Sequence, residues 1–75
     1  MDRQQAIASA FAHVLERQPQ DFPPDSALGG LGVDSIALVV LADVVEAANP
    51  GWRLPDSVLK TARTVGDLAL GLEQL

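Results

Sequence analysis

The sequence predicts a small all-α domain, a four-helix bundle with a short third helix and a long loop between helices 1 and 2. Three observations support this prediction. Apolar residues recur at helical spacing in separate stretches of the chain. Clusters of proline and glycine divide those stretches. No two stretches alternate apolar and polar residues as a strand pair would. With 75 residues, the chain is long enough for one domain only, so we expect residues 1–75 to form a single unit.

The first helix is predicted from Arg3 to about Glu16. Asp2 precedes it at the N-cap position, and Gln5 stands where a capping box would return the hydrogen bond. His13 lies off the core-facing stripe, so we expect it to face solvent. That stripe, at helical spacing, consists of Ile7, Ala10, Phe11, Val14 and Leu15.

The segment from Arg17 to Asp34 cannot form a regular element, because it contains three prolines and three glycines. Loops of this length in small domains are usually functional or disordered. Apolar residues within the segment favour an ordered loop that is anchored to the core. The expected anchors are Phe22, Leu28 and Leu31.

The second helix is predicted from Ser35 to Ala48, with Asp34 or Ser35 as its N-cap and Asn49-Pro50-Gly51 as its end. The stripe that faces the core is Leu38, Leu41, Ala42 and Val45. Further apolar residues lie on the opposite side and on the flanks: Ile36, Val39, Val40, Val44 and Ala47. The pattern alone leaves two possibilities for this second face. It is an exposed interaction surface, or it is buried beneath the long loop.

The remaining chain is predicted to form two shorter helices. One runs from Asp56 to Thr61, and the other begins after a capping box formed by Thr64 and Asp67. We expect Trp52 to act as a plug or lid at the core, because tryptophan contributes a large buried area. The buried stripe of the last helix is predicted to be Val65, Leu68, Ala69, Leu72 and Leu75.

The charge and composition of the chain argue against several classes of function. The net charge is −5, with five basic and ten acidic residues, so we expect neither nucleic acid nor anionic lipid as a partner. No apolar run could span a bilayer, and the N-terminus lacks the pattern of a signal peptide. We therefore expect a cytoplasmic monomer. Without cysteine, and with His13 as the single histidine, no metal site is expected.

Ser35 is the candidate functional residue, although its simplest local explanation is that of a helix cap. Two features weaken that explanation. The segment before Ser35 is rich in glycine, which would leave the hydroxyl accessible, and an apolar face begins at Ile36. A helix N-terminus also favours a bound anion. A hydrolase triad of Ser35, His13 and Asp34 is not expected, since the chain has no Gly-x-Ser-x-Gly turn and nothing orients the histidine.

Residues 25–28, 31–36, 54–56 and 64–68 each form a short motif, and together these motifs resemble those of acyl carrier proteins. Leu31-Gly32-Val33-Asp34-Ser35-Ile36 resembles the attachment motif of that family, and Leu54-Pro55-Asp56 resembles the Ile-Pro-Asp before its third helix. Thr64-Val65-Gly66-Asp67-Leu68 resembles the motif that opens the fourth helix, and Asp25-Ser26-Ala27-Leu28 resembles the Asp-x-x-Leu of the first loop. The segments stand at matching intervals, so the resemblance covers nearly the whole chain.

The resemblance implies that Ser35 carries 4'-phosphopantetheine, installed from coenzyme A by a phosphopantetheinyl transferase. The thiol of this arm would hold an acyl group as a thioester, so the protein would be a carrier and not an enzyme. The implied partners are the transferase and the enzymes that load, condense and tailor the cargo. They would dock on a face of the second helix formed by Asp34, Ile36, Val39, Val40, Asp43 and Val44.

The second helix departs from the family pattern in its charge, because Ala37 and Val40 stand where acids are common in carriers of primary fatty acid synthesis. This departure favours apolar partner contacts, and it looks more like a free-standing carrier of polyketide or mixed peptide-polyketide biosynthesis. The nearest alternative is a peptidyl or aminoacyl carrier with the same arm, although Asp34 before the serine favours the acyl class. An alternative of a different class is a helical interaction module in which Ser35 is only a cap.

Overall fold

The computed structural model describes residues 2–75. Those residues form a bundle of about 30 × 23 × 20 Å in which the first helix packs against both the second and the fourth, and the third helix contacts the second and the fourth. The predicted all-α fold, with its short third helix and long first loop, is confirmed. The helices are α1 (Arg3–Leu15), α2 (Ser35–Ala48), α3 (Asp56–Thr61) and α4 (Val65–Gly71).

The first helix begins as predicted and ends one residue early. The Asp2 carboxylate accepts a hydrogen bond from the Gln5 backbone N–H at 3.1 Å. The Gln5 side chain donates to Ser9 Oγ, so only half of the expected capping box forms. Glu16 ends the helix because its backbone turns to the left-handed region, with φ 56°. His13 is exposed, as predicted.

The long loop closes one side of the core. The ring of Phe22 in the loop stacks on Phe11 of α1, with centroids 5.2 Å apart and planes 18° from parallel. Leu28 is also buried, and Leu31 is half-buried, so the three predicted anchors of the loop do contact the core. The other buried side chains are Ile7, Ala8, Ala10, Leu41, Ala42, Val45, Leu54, Val65, Leu68, Ala69 and Leu72.

A short antiparallel strand pair closes one end of the bundle. β1 (Trp52–Arg53) pairs with β2 (Glu73–Gln74), and an ion pair of 3.3 Å joins Arg53 Nε to Glu73 Oε2. The prediction that the chain has no strand pair is therefore wrong. Each strand has only two residues, and a stretch this short shows no alternation that a sequence pattern could reveal.

Arg3 fastens the first helix to this same end of the bundle. Its guanidinium lies 5.0 Å from the ring centroid of Trp52, which is half-buried against the core. Arg3 Nε also donates to the carbonyl of Leu72 at 3.2 Å. The prediction that Leu75 is buried is wrong, because α4 ends at Gly71 and the extended chain that follows leaves Leu75 79% exposed.

Candidate functional site

Asp34 is the N-cap of α2. Its backbone is extended, with φ −98° and ψ 179°, and its carboxylate accepts a hydrogen bond from the Ala37 N–H at 2.8 Å. Ser35 is the first residue inside the helix. Of the two N-caps that the sequence allowed, the structure has Asp34. The need for a cap therefore does not explain why position 35 is a serine.

The Ser35 hydroxyl is exposed and forms no hydrogen bond with another group in residues 2–75. The first N–H groups of any helix lack partners within the helix. In α2 the Ala37 N–H is taken by the Asp34 side chain, and the Leu38 N–H by the Asp34 carbonyl. The backbone donors of Ser35 and Ile36 are not engaged by any group in the described part of the chain. They are available to an anion attached at the serine.

The loop before Ser35 is held against the beginning of α4. Residues 24–28 run antiparallel to residues 63–66, with a bridge between Ala27 and Thr64. A side chain at Gly66 would not fit, since its Cβ would lie 2.9 Å from the carbonyl oxygen of Pro24. Three backbone hydrogen bonds of 2.8 to 3.0 Å join the segments: Leu28 N–H to the Arg63 carbonyl, Val65 N–H to the Ser26 carbonyl, and Gly66 N–H to the Pro24 carbonyl.

A tight turn then connects this fixed loop to the helix. Residues 29–31 form a 3-10 turn, and Gly32 follows with φ 72°, a conformation that glycine adopts without strain. The Val33 N–H donates back to the carbonyl of the buried Leu28 at 3.3 Å. The chain immediately before Asp34 is therefore tied to the core, and this connection fixes where α2 begins.

The outer face of α2 is exposed and apolar, so the alternative in which the long loop covers it is wrong. The exposed fractions are 74% for Ile36, 54% for Val39 and 44% for Val40. Asp43 is exposed beside them, and Val44 is half-buried. A single exposed apolar residue is ordinary, whereas neighbours on one face form a patch of the kind found at interaction sites. This patch begins next to Ser35.

The residues of a hydrolase triad are not brought together. The Asp34 carboxylate is bonded to the backbone N–H of Ala37, and His13 lines a cleft with Val44. Val44 stands nine residues after Ser35, a rise of about 13 Å along the helix. No hydrogen bond within residues 2–75 joins Ser35 to His13. The described residues therefore lack the contacts that would activate the serine as a nucleophile.

The capping box at the start of α4 is complete. The Asp67 N–H donates to Thr64 Oγ1 at 3.1 Å, and Asp67 Oδ2 accepts from the N–H groups of Arg63 and Thr64 at 2.9 and 3.2 Å. The hydrogen bond from Arg63, aided by the one from Thr64, lowers the pKa of the Asp67 carboxyl below its ordinary value. The Arg63 carbonyl also accepts a hydrogen bond from the Leu28 N–H. Arg63 therefore connects the capping box of α4 to the loop before Ser35.

Comparison with protein families gives a match over most of the chain. A family model described as phosphopantetheine attachment site matches residues 5–72, from α1 to just beyond α4. The chain belongs to this family. Members of the family are carrier proteins that hold 4'-phosphopantetheine covalently. Neither the comparison with curated proteins nor the one with solved structures gave a match.

Two further properties of this carrier protein concern residues 2–75. Within them, every helix is too short or too polar to cross a membrane. The same residues contain no group of three or more His, Asp or Glu side chains that could hold a metal ion.

The sequence points to Ser35 and its apolar neighbours but not to the role of residues 63–66. The pattern of Thr64 and Asp67 is visible in the sequence, where it predicts a helix cap. A capping pattern is local and carries no information about the loop that packs beside it. The contact between Arg63 and Leu28 arises only in the folded chain.

Proposed function

We propose that Ser35 carries the 4'-phosphopantetheine arm and that the chain, as a single carrier domain over residues 1–75, delivers acyl or polyketide intermediates to partner enzymes. The observation that supports this best is the exposed Ser35 hydroxyl at the start of α2, where Asp34 supplies the cap. A phosphodiester at Ser35 lies at the positive end of the helix dipole, beside the free N–H groups of Ser35 and Ile36. These two N–H groups could therefore donate hydrogen bonds to the phosphate oxygens.

In this proposal the residues around Ser35 hold the serine in place and take no part in bond formation. Attachment joins Ser35 Oγ to the phosphorus of the pantetheine phosphate of coenzyme A, the hydroxyl proton passes to the transferase, and the nucleotide part of coenzyme A leaves. The arm supplies a thiol on which the cargo is held as a thioester. Asp34 holds the first turn of α2 in shape, and Leu28 ties the preceding loop to the core.

A mass measurement tests the attachment site. The chain is incubated with coenzyme A and a phosphopantetheinyl transferase of broad specificity, and the intact mass is recorded. We expect a gain of one phosphopantetheine in the wild type and in Ser57→Ala, and none in Ser35→Ala. Ser57 is a suitable control because it is also exposed near the start of a helix. No gain in the wild type, or a gain that persists in Ser35→Ala, would contradict the proposal.

Partner enzymes dock, in the same proposal, on the outer face of α2. The transferase and the loading, condensing and tailoring enzymes would meet an exposed apolar centre with acidic residues at its edges. A complementary partner surface is apolar in the middle and basic at the rim. The proposed docking face consists of Asp34, Ile36, Val39, Val40, Asp43 and Val44.

The variant Val40→Glu tests this docking face. We expect it to slow acyl loading by about tenfold, the effect of about 1.4 kcal/mol, because the new carboxylate would be buried without a partner. Leu70→Glu is the matched control, since Leu70 is 84% exposed on α4. If the two variants load at the same rate and both keep the helical spectrum, partners do not bind this face.

The class of cargo forms the last part of the proposal. The apolar face of α2 favours a carrier of secondary-metabolite biosynthesis, and Asp34 before the serine favours acyl over aminoacyl cargo. An amino-acid cargo on the same arm is the second candidate, and loading assays with acyl and aminoacyl donors separate the two. We also propose a monomer in the cytoplasm, and the lack of cysteine is compatible with that compartment.

A further inference from the structure

A chain of hydrogen bonds leads from the capping box of α4 to the residue before the cap of α2. The Asp67 carboxylate accepts the Arg63 N–H at 2.9 Å, and the Arg63 carbonyl accepts the Leu28 N–H at 2.9 Å. The Leu28 carbonyl in turn accepts the Val33 N–H at 3.3 Å. Val33 directly precedes Asp34, the cap of α2. Three hydrogen bonds therefore connect Asp67 with the start of α2.

Asp67 supplies the charged group of this chain of hydrogen bonds. An ionised acceptor forms a stronger hydrogen bond than a neutral one, and bonds in a chain strengthen one another. The carboxylate is exposed, so water can replace it at the Arg63 N–H. Water would not hold that peptide group in one orientation, however, and the Arg63 carbonyl would no longer be directed at Leu28. We therefore expect the turn before α2, residues 28–33, to open more often without Asp67.

The position of the serine depends on this turn, because its own side chain does not anchor it. The Ser35 hydroxyl is exposed and forms no hydrogen bond with another group in residues 2–75. Its position follows from where α2 begins, and the loop that ends at Val33 fixes that point. For attachment, Ser35 Oγ must reach the phosphorus of coenzyme A, and reacting atoms that are misplaced by about 1 Å react far more slowly. The start of α2 must therefore be in place when the transferase binds.

We propose that Asp67 is a positioning residue for the attachment of phosphopantetheine to Ser35, an inference that rests on the proposed function. Asp67 keeps the turn before α2 closed, and the transferase binds only the closed turn. A protein whose competent form is partly populated binds with an affinity reduced by that fraction. Loss of the Asp67 carboxylate therefore raises the KM of the transferase for the carrier. It leaves kcat unchanged, because the form that binds is the same as in the wild type.

The experiment measures KM and kcat of a broad-specificity phosphopantetheinyl transferase for variants of the carrier, with coenzyme A in excess. We expect KM to rise by up to about fivefold in Asp67→Ala, the equilibrium equivalent of a lost helix cap. Asp67→Glu should keep the wild-type KM, because glutamate is the usual residue at this position of a capping box. Asp2→Ala is the matched control and should also keep it, since Asp2 is an exposed carboxylate that caps α1 and bonds only within that helix.

Amide hydrogen exchange measures the turn itself, because exchange requires the hydrogen bond to open. We expect the Leu28 N–H to exchange about fivefold faster in Asp67→Ala and at the wild-type rate in Asp2→Ala. A second variant, Gly66→Ala, disturbs the same pairing without removing the carboxylate. Its added Cβ would lie 2.9 Å from the carbonyl oxygen of Pro24, so the loop must shift and KM should rise here too.

The possible results separate this inference from the proposed function. A wild-type KM in both Asp67→Ala and Gly66→Ala would show that the cap and packing of α2 alone position the serine, and would overturn the inference. An equal rise of KM in Asp2→Ala, or a fall in kcat with KM unchanged, would also overturn it. In each of these cases Ser35 is still loaded, so the proposed function stands. Failure of the wild type to load Ser35 would overturn both.

Discussion

Removal of the Asp34 side chain should destabilise the start of α2. The carboxylate accepts the Ala37 N–H at 2.8 Å in an exposed setting, so water can replace part of this bond. Loss of an N-cap of this kind costs about 1 kcal/mol. In a domain of this size, a loss of about 1 kcal/mol lowers Tm by roughly 4 to 8 °C. We therefore expect Asp34→Ala to melt lower by that amount.

Two further variants distinguish the effect of the capping hydrogen bond on stability from the effect of the negative charge. Asp34→Asn removes the negative charge but keeps an oxygen that can accept from Ala37, and asparagine caps helices about as well as aspartate. Asp43→Ala removes a charge from an exposed position in the middle of α2. Alanine is the better helix former, so this control should be neutral or stabilising by up to about 0.5 kcal/mol.

The assay is thermal and urea denaturation followed by circular dichroism, with all four proteins at one pH and one salt concentration. The expected order of Tm has Asp34→Ala lowest and Asp34→Asn close to the wild type. An equal loss in Asp34→Asn and Asp34→Ala would show that the charge, and not the cap, stabilises the helix. An unchanged Tm in Asp34→Ala would show that α2 does not depend on its cap.

Two more predictions concern α4. Gly71→Ala should destabilise the bundle by about 1 to 3 kcal/mol, because the added methyl group would overlap the methyl groups of Val58, a residue with little rotamer freedom. The midpoint of urea denaturation measures the loss of stability. If Val58→Ala does not recover any of this loss when it is combined with Gly71→Ala, the steric explanation is wrong. The lowered pKa of Asp67 predicts a contribution to stability that is present above its unfolded pKa and is lost as pH falls through its folded pKa. Asp67→Asn should therefore make Tm depend less on pH in the acid range. If the fall of Tm at acid pH is the same in Asp67→Asn as in the wild type, Asp67 does not cause it.

The bounds of α2 and α3 were predictable because strong local signals stand at their ends. Asp34 is a good N-cap, Asn49-Pro50-Gly51 cannot continue a helix, and Pro55 fits just before a helix begins. These signals act through backbone geometry and need no tertiary contact. The predicted bounds of both helices, Ser35–Ala48 and Asp56–Thr61, agree with the structure for this reason.

Features that depend on contacts between distant residues were not predictable. The periodicity of α4 extends through Leu75, but pairing with β1 draws the chain after Gly71 into a strand. The exposure of Val40 likewise depended on the path of the long loop, which the sequence left open. The cleft that His13 and Val44 line was not predictable for the same reason, because it forms only when α1 and α2 pack together.

The pairing of residues 24–28 with residues 63–66 has a consequence for timing during translation. A chain leaves the ribosome from its N-terminus, so α2 and Ser35 emerge well before Arg63. Until then, the Leu28 N–H lacks the carbonyl that it bonds in the folded protein. An enzyme that recognises the folded turn before α2 can therefore act only after nearly all of the matched region has been synthesised. Under the proposed function, Ser35 is therefore synthesised well before it can be modified.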